Sequence, residues 1–216
     1  MRSISIFTYL ILINSFLINS AYSLNHNKKI ILRKSFDKFT ILGDVDYRNK
    51  DKDDKDLYHR HYDLGFRVML ANNWSGALKY RNIYRKSEGE WNLFEQRPQL
   101  QITNIVDYSL IKIKTRIREE YRIRDGDDFF RTRLRLDVKS KKSFLNLKPF
   151  INNEFFYDHE KSRYNRNRFE IGVALPKIKS HFTPEIAYRI NKKYDQEKHK
   201  WQENEGIIVF KLRVKY

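Results

Sequence analysis

Ile111-Lys112-Ile113-Lys114-Thr115-Arg116-Ile117-Arg118-Glu119-Glu120-Tyr121-Arg122-Ile123-Arg124 alternates residue by residue. Ile111, Ile113, Thr115, Ile117, Glu119, Tyr121 and Ile123 share one parity, and Lys112, Lys114, Arg116, Arg118, Glu120, Arg122 and Arg124 share the other. A helix would scatter these cations around its circumference; only a strand keeps them on one face. After a loop at Asp125-Gly126-Asp127-Asp128, Phe130, Thr132, Leu134, Leu136 and Val138 interleave with Arg131, Arg133, Arg135, Asp137 and Lys139. The result is a hairpin with one apolar face and one strongly basic face.

The same period runs through the chain. Phe39, Ile41, Gly43, Val45 and Tyr47 form one apolar stripe, and Tyr62, Leu64, Phe66, Val68 and Leu70 form the next. Asn72-Asn73 is a tight-turn signal, after which Trp74, Gly76, Leu78, Tyr80 and Tyr84 alternate with Lys79, Arg81 and Arg85. Further runs lie at 94–103, 144–157, 166–175, 181–191 and 207–216. The pattern predicts an all-β fold of about ten antiparallel strands closed into a barrel. The links near 48–59, 86–92, 125–129, 158–165 and 191–204 read as longer, charged outer loops. Those near 72, 104–108, 140–143 and 176–180 read as short periplasmic turns. An even strand count would put both chain ends on the short-turn side. Pro98, Pro149 and Pro184 each remove a ladder donor and are expected at strand ends or bulges.

Composition narrows the class. The 216 residues carry 44 Lys+Arg against 27 Asp+Glu, a net charge of +17, and no cysteine. Disulfide scaffolds, thiolate metal sites and a cysteine nucleophile are excluded. A charged content of 33% and a mean hydropathy of −0.76 exclude a polytopic helical membrane protein. Arg2, the apolar run at 4–18 and the small-residue site Ala21-Tyr22-Ser23 read as a secretory signal peptide over residues 1–23. Residues 24–216 then form one exported barrel domain. Tyr47, Tyr62, Tyr84, Tyr121, Tyr157 and Tyr188 sit toward stripe ends, where a membrane-interface girdle would place them. The chain ends in Ile208, Phe210, Leu212, Val214 and Tyr216; the last four have the form of a signal for the barrel assembly machinery. The expected location is the outer membrane of a Gram-negative bacterium. The alternative is a secreted soluble β-sandwich or lipocalin-like barrel, its apolar stripes turned inward, that binds an anionic partner.

Four segments resemble a known family: Glu95-Gln96-Arg97-Pro98, Arg131-Thr132-Arg133-Leu134-Arg135-Leu136, Lys148-Pro149-Phe150-Ile151-Asn152-Asn153-Glu154-Phe155-Phe156 and Asn167-Arg168-Phe169-Glu170-Ile171-Gly172. Together they are similar to the uncharacterised bacterial proteins grouped as domain of unknown function 2490, over nearly all of the mature chain. The resemblance implies a small outer-membrane β-barrel. It implies no activity and no catalytic residue.

With the apolar stripes outside, the basic stripes line the lumen. The candidate site is a ladder of Lys112, Lys114, Arg116, Arg118, Arg122, Arg124, Arg131, Arg133 and Arg135. Glu120, Asp137, Glu154 and Glu170 are its expected carboxylate partners, with Asp44, Asp46, Asp63, Glu95 and Glu185 also inward. One reading is a structural core of Arg–carboxylate pairs. Another is a narrow, porin-like channel that attracts small anions. A third is a hydrolase at the rim, using His59, His61 and Asp63 with Asp127 and Asp128; no serine motif or metal-ligand spacing supports it. The expectation is a non-enzyme without cofactor or metal. Its partners would be outer-membrane lipid, lipopolysaccharide and the assembly machinery, and export argues against nucleic acid.

Overall fold

The structure, a computed structural model, describes residues 26–49, 57–178 and 181–216. Residues 1–23, read above as a signal peptide, and the charged run at 50–56 lie outside the described residues. Eleven strands follow in order: β1 (His26–Ser35), β2 (Phe39–Asn49), β3 (Leu57–Ala71), β4 (Trp74–Ser87), β5 (Glu90–Asp107), β6 (Ile111–Arg122), β7 (Phe129–Ser140), β8 (Lys148–Asp158), β9 (Arg163–Ala174), β10 (Phe182–Asp195) and β11 (Lys200–Lys215). Each pairs with its chain neighbours, and β11 pairs with β1, so the sheet closes into a barrel with no free edge.

Strands β2 to β11 fall on the ten runs read from the alternation. The addition is β1, where Ile30-Ile31-Leu32 breaks the period of two. Ile30 and Leu32 point outward while Ile31 is buried in the lumen. The odd count corrects two expectations. The β1–β11 pair is parallel, from His26↔Ile208 to Arg33↔Lys215, while every other pair is antiparallel. Tyr216 closes against Arg33 and Ser35 through backbone hydrogen bonds of 2.9 and 3.1 Å. His26 lies at the other end of β1, opposite Asn49. The two ends of the described chain therefore lie toward opposite rims, not on one.

The C-terminal rim carries the connections at 36–38, 72–73, 108–110 and 141–147, and β9 ends and β10 starts there. The opposite rim carries 88–89, 123–128, 159–162 and 196–199, and β2 ends and β3 starts there. Charged stretches read as loops at 86–92 and 191–204 prove to be largely hairpin. Only Glu88 and Gly89, both at positive φ, separate β4 from β5. Conversely, Phe144 does not open β8. It bridges Leu147 in a tight turn whose Leu145 and Asn146 have φ of 49° and 64°.

Pro149 and Pro184 sit near the starts of β8 and β10, as strand chemistry requires. Pro98 does not; it lies inside the 18-residue β5. The β5–β6 ladder is interrupted there. The bridge Gln96↔Ile123 precedes the gap and Gln99↔Glu120 follows it, in unchanged register. By that register Pro98 falls opposite Tyr121 and has no N–H to offer it.

Polarity is inverted relative to a protein with an oily core. Leu64, Leu100 and Ile171 are more than half exposed on the outside. Glu120, Glu154 and Glu170 are 0% exposed inside. Tyr47, Tyr62 and Tyr84 form a continuous outer row, with ring centroids 6.4 and 6.0 Å apart, toward the rim opposite the C-terminus. Tyr121–Phe130 and Tyr157–Tyr164 continue it at 4.8 and 5.3 Å. Phe36–Phe39 and His181–Tyr216, at 4.8 and 5.0 Å, stack at the C-terminal rim.

Candidate functional site

Strand pleating sends alternate residues of each strand into the lumen, so each polar stripe meets the stripes of the strands beside it. The carboxylates are far fewer than the cations and act as hubs. On β5, Glu95 accepts hydrogen bonds from Arg97, from Arg122 at 2.9 and 2.6 Å, and from Arg124 at 2.7 Å. Arg97 continues to Glu120 at 3.3 Å. Glu120 also holds Arg131 at 2.5 Å and Arg133 at 2.6 Å. Arg133 forks onward to Glu154 at 2.8 Å, which in turn accepts from Arg116 at 3.2 Å and Arg168 at 3.5 Å. One connected chain of charges thus runs from β5 through β6, β7 and β8 to β9.

The remaining hubs lie to either side. Glu170 binds Arg189 at 2.9 Å, Asn152 at 3.0 Å and the Lys211 ammonium. Glu185 binds Arg213 at 2.8 Å and Lys139 at 3.4 Å. Lys79 joins Asp44 to Asp63 at 2.8 Å each, and Arg81 forks onto Asp63 at 2.5 and 2.7 Å. Removing one partner from such a buried pair leaves an uncompensated charge and costs about 3–5 kcal/mol.

All nine ladder residues have the inward parity, but they do not form one site. Arg122 and Arg124 close on Glu95, Arg131 and Arg133 on Glu120, and Arg135 on Asp137 at 2.6 Å. Lys112 pairs with Asp107 at 3.2 Å, and both are close to half exposed at the rim. Lys114 lies opposite Asp137 in the register but makes no ion pair with a described residue, because Asp137 forks with Arg135.

Of the rim residues, His59 and His61 lie together, with ring nitrogens 3.5 Å apart, while Asp128 binds elsewhere. His61 is buried in the lumen wall, with Nδ1 3.7 Å from Asp46 and Nε2 3.9 Å from Asp63. Asp128 accepts hydrogen bonds from the Tyr121 hydroxyl and the Arg124 backbone, both at 3.1 Å. Among the described residues no group of three or more His, Cys, Asp or Glu is placed to hold a metal ion.

Two inward aromatics were missed, although both share parity with Glu154. Phe156 is buried with the guanidinium carbons of Arg133, Arg131 and Arg168 at 4.7, 5.1 and 5.2 Å from its ring centre. That is a cation–π platform inside the barrel. Phe150 packs with Ala187, Ile207 and Val209 in a small dry cluster, and Lys211 lies 5.3 Å from its ring. Space remains between the ion pairs. A cavity of about 430 Å³ runs along the lumen from Arg48 and His61 to Ser35 and Lys215, where it meets the C-terminal rim.

A closed β-barrel is the fold that the four resembling segments implied. The profile of a family described as "Protein of unknown function (DUF2490)" matches residues 22–203. The chain belongs to this family. No curated protein matches it. The DUF2490 match spans β1 to β10 and the first residues of β11. Glu95, Glu120, Glu154 and Glu170 all fall within it, whereas Lys211, Arg213 and Tyr216 lie beyond its end. All four resembling segments contribute inward side chains: Glu95 and Arg97, Arg131, Arg133 and Arg135, Glu154 and Phe156, and Arg168 and Glu170.

Proposed function

We propose that this DUF2490 protein is an outer-membrane β-barrel of a Gram-negative bacterium, and that its lumen is a salt-bridged core rather than an open pore. The inverted polarity carries this reading. Rows of exposed Leu, Ile and Phe suit lipid, and such a surface on a soluble monomer would be an association hazard. The soluble alternative needs the same stripes turned inward, and they point out. The tyrosine row toward one rim suits an interface with lipid headgroups. Arg60, stacked 4.1 Å over Trp91 and 5.3 Å over Tyr84, is placed to meet lipopolysaccharide phosphates there. The assembly signal, Phe210, Leu212, Val214 and Tyr216, lies along the strand that closes the barrel.

The chain of charges from Glu95 to Arg168 supports a structural role over a channel, since it ties five neighbouring strands together on the lumen side. The protein is read as non-catalytic, because Asp63 is held by Lys79 and Arg81 and Asp46 by Arg48. Fractionation, gel mobility and planar-bilayer recording test the reading together. Expected are recovery with outer membranes, a heat-dependent mobility shift, and no steady open-channel current. Recovery as a soluble periplasmic protein would overturn the membrane assignment. Steady anion-selective conductance would overturn the closed lumen and favour the channel.

A further inference from the structure

We propose that the cavity at the C-terminal rim is a binding site for a compact, multiply charged phosphate-class anion, centred on Lys114. This rests on the barrel reading above. The cavity is lined by eighteen Lys and Arg but only four carboxylates, Asp44, Asp46, Asp137 and Glu185. Every one of those carboxylates is already engaged: Asp44 by Lys79, Asp46 by Arg48, Asp137 by Arg135 and Glu185 by Arg213. Lys114, Arg67 and Lys215 line the cavity and make no ion pair with any described residue. Lys114 lies between Lys112 and Arg116 on its own face of β6 and opposite Asp137 on β7.

The strand register aggravates the excess. Arg116 lies opposite Arg135, Arg118 opposite Arg133, and Lys112 opposite Lys139. Like charges directly across an antiparallel pair repel, and a confined cation without a counter-charge is costly. A bound anion resolves both. Guanidinium forks match phosphate oxygens two at a time, and Arg116 and Arg135 lie beside Lys114, on its own strand and on the facing one. The volume limits the ligand: 430 Å³ holds about fourteen waters at ~30 Å³ each. That admits inorganic phosphate, pyrophosphate or a small phosphate ester, and no folded peptide. Ser35, Lys112 and Lys215 are exposed where the cavity meets the rim, so entry is from that side.

The experiment is calorimetric titration of sodium pyrophosphate into the folded barrel in zwitterionic detergent at fixed ionic strength. Saturable binding is expected, undiminished when chloride replaces other background anions. Lys114→Gln should weaken it about tenfold, equivalent to about 1.4 kcal/mol. Asp137→Asn should tighten it by freeing Arg135. Lys161→Gln, at an exposed position on the opposite rim, should change nothing. Phosphatidic acid doped into the micelle separates the sources: competition assigns the site to a lipid headgroup, and its absence to a free anion. No saturable heat from protein that keeps its heat-dependent mobility shift would overturn the site while leaving the barrel standing. Equal weakening by Lys161→Gln and Lys114→Gln would overturn it as mere bulk charge. Protein without the mobility shift, recovered as soluble, would instead fail the barrel reading itself.

Discussion

Gly65 lies directly opposite Lys79 across the β3–β4 pair, and a Cβ there would meet the Leu78 carbonyl oxygen at 2.3 Å and Lys79 Cα at 2.8 Å. The bare glycine lets the two strands approach where Lys79 must reach Asp44 and Asp63. Gly65→Ala is expected to cost about 1–3 kcal/mol through overpacking. Gly43→Ala is the contrast: its Cβ would meet Leu32 at an ordinary 3.5 Å. Urea titration of the heat-shifting form should show a lowered midpoint for Gly65→Ala and an unchanged one for Gly43→Ala.

Leu134 and Arg133 are neighbours on β7 that face opposite media. Leu134 points outward, so Leu134→Arg should cost about 2–4 kcal/mol near a bilayer midplane. Arg133→Leu acts differently. It leaves Glu120 and Glu154 short of a partner inside the lumen, a cost of about 3–5 kcal/mol. Insertion into vesicles should fall for Leu134→Arg. For Arg133→Leu, the inserted barrel should form but melt earlier. The reverse assignment of these two defects would mean that the faces are exchanged.

Glu120 neutralises several guanidiniums at once, among them Arg131 and Arg133. Glu120→Gln should therefore destabilise by about 3–5 kcal/mol. The pair Glu120→Met with Arg131→Met should recover part of that loss, because both charges leave together. A double-mutant cycle on unfolding free energy checks this, and strict additivity would show the two residues to be uncoupled.

Pro98 interrupts the β5–β6 ladder opposite Tyr121. Pro98→Val restores an N–H at a position where the register is already correct on both sides. The gain expected is about 0.5–1.5 kcal/mol, the net value of one hydrogen bond. Hydrogen exchange on the variant should find the new amide at 98 protected, with slower exchange at Tyr121 as well. An unprotected amide would show that something other than proline opens the gap.

The barrel was legible because every inner-face residue of β6 and β7 except Phe129 is charged. Where the lumen is locally dry, the alternation fails. Ile31 on β1 and Ile207 and Val209 on β11 face inward, so their strands read as continuous apolar runs. That is why β1 escaped notice, and with it the odd strand count and the parallel closure. Residue parity gave the inward cations, but their partners depend on which strands lean across the lumen. Lys114 shows the limit. Its register partner Asp137 is known once the hairpin is placed, yet Asp137 turns to Arg135, two residues along its own strand. No local pattern distinguishes these outcomes, since both satisfy charge complementarity.

The parallel seam between β1 and β11 also sets how the barrel bears load. In a barrel with an even number of strands, first and last strands run antiparallel and their free ends share a rim, so tension between those ends peels the pair open one hydrogen bond at a time. Here His26 and Tyr216 lie toward opposite rims of adjacent strands. Tension between them slides β1 along β11 and loads the register from His26↔Ile208 to Arg33↔Lys215 together. The seam is then a shear joint, its hydrogen bonds loaded side by side rather than in turn.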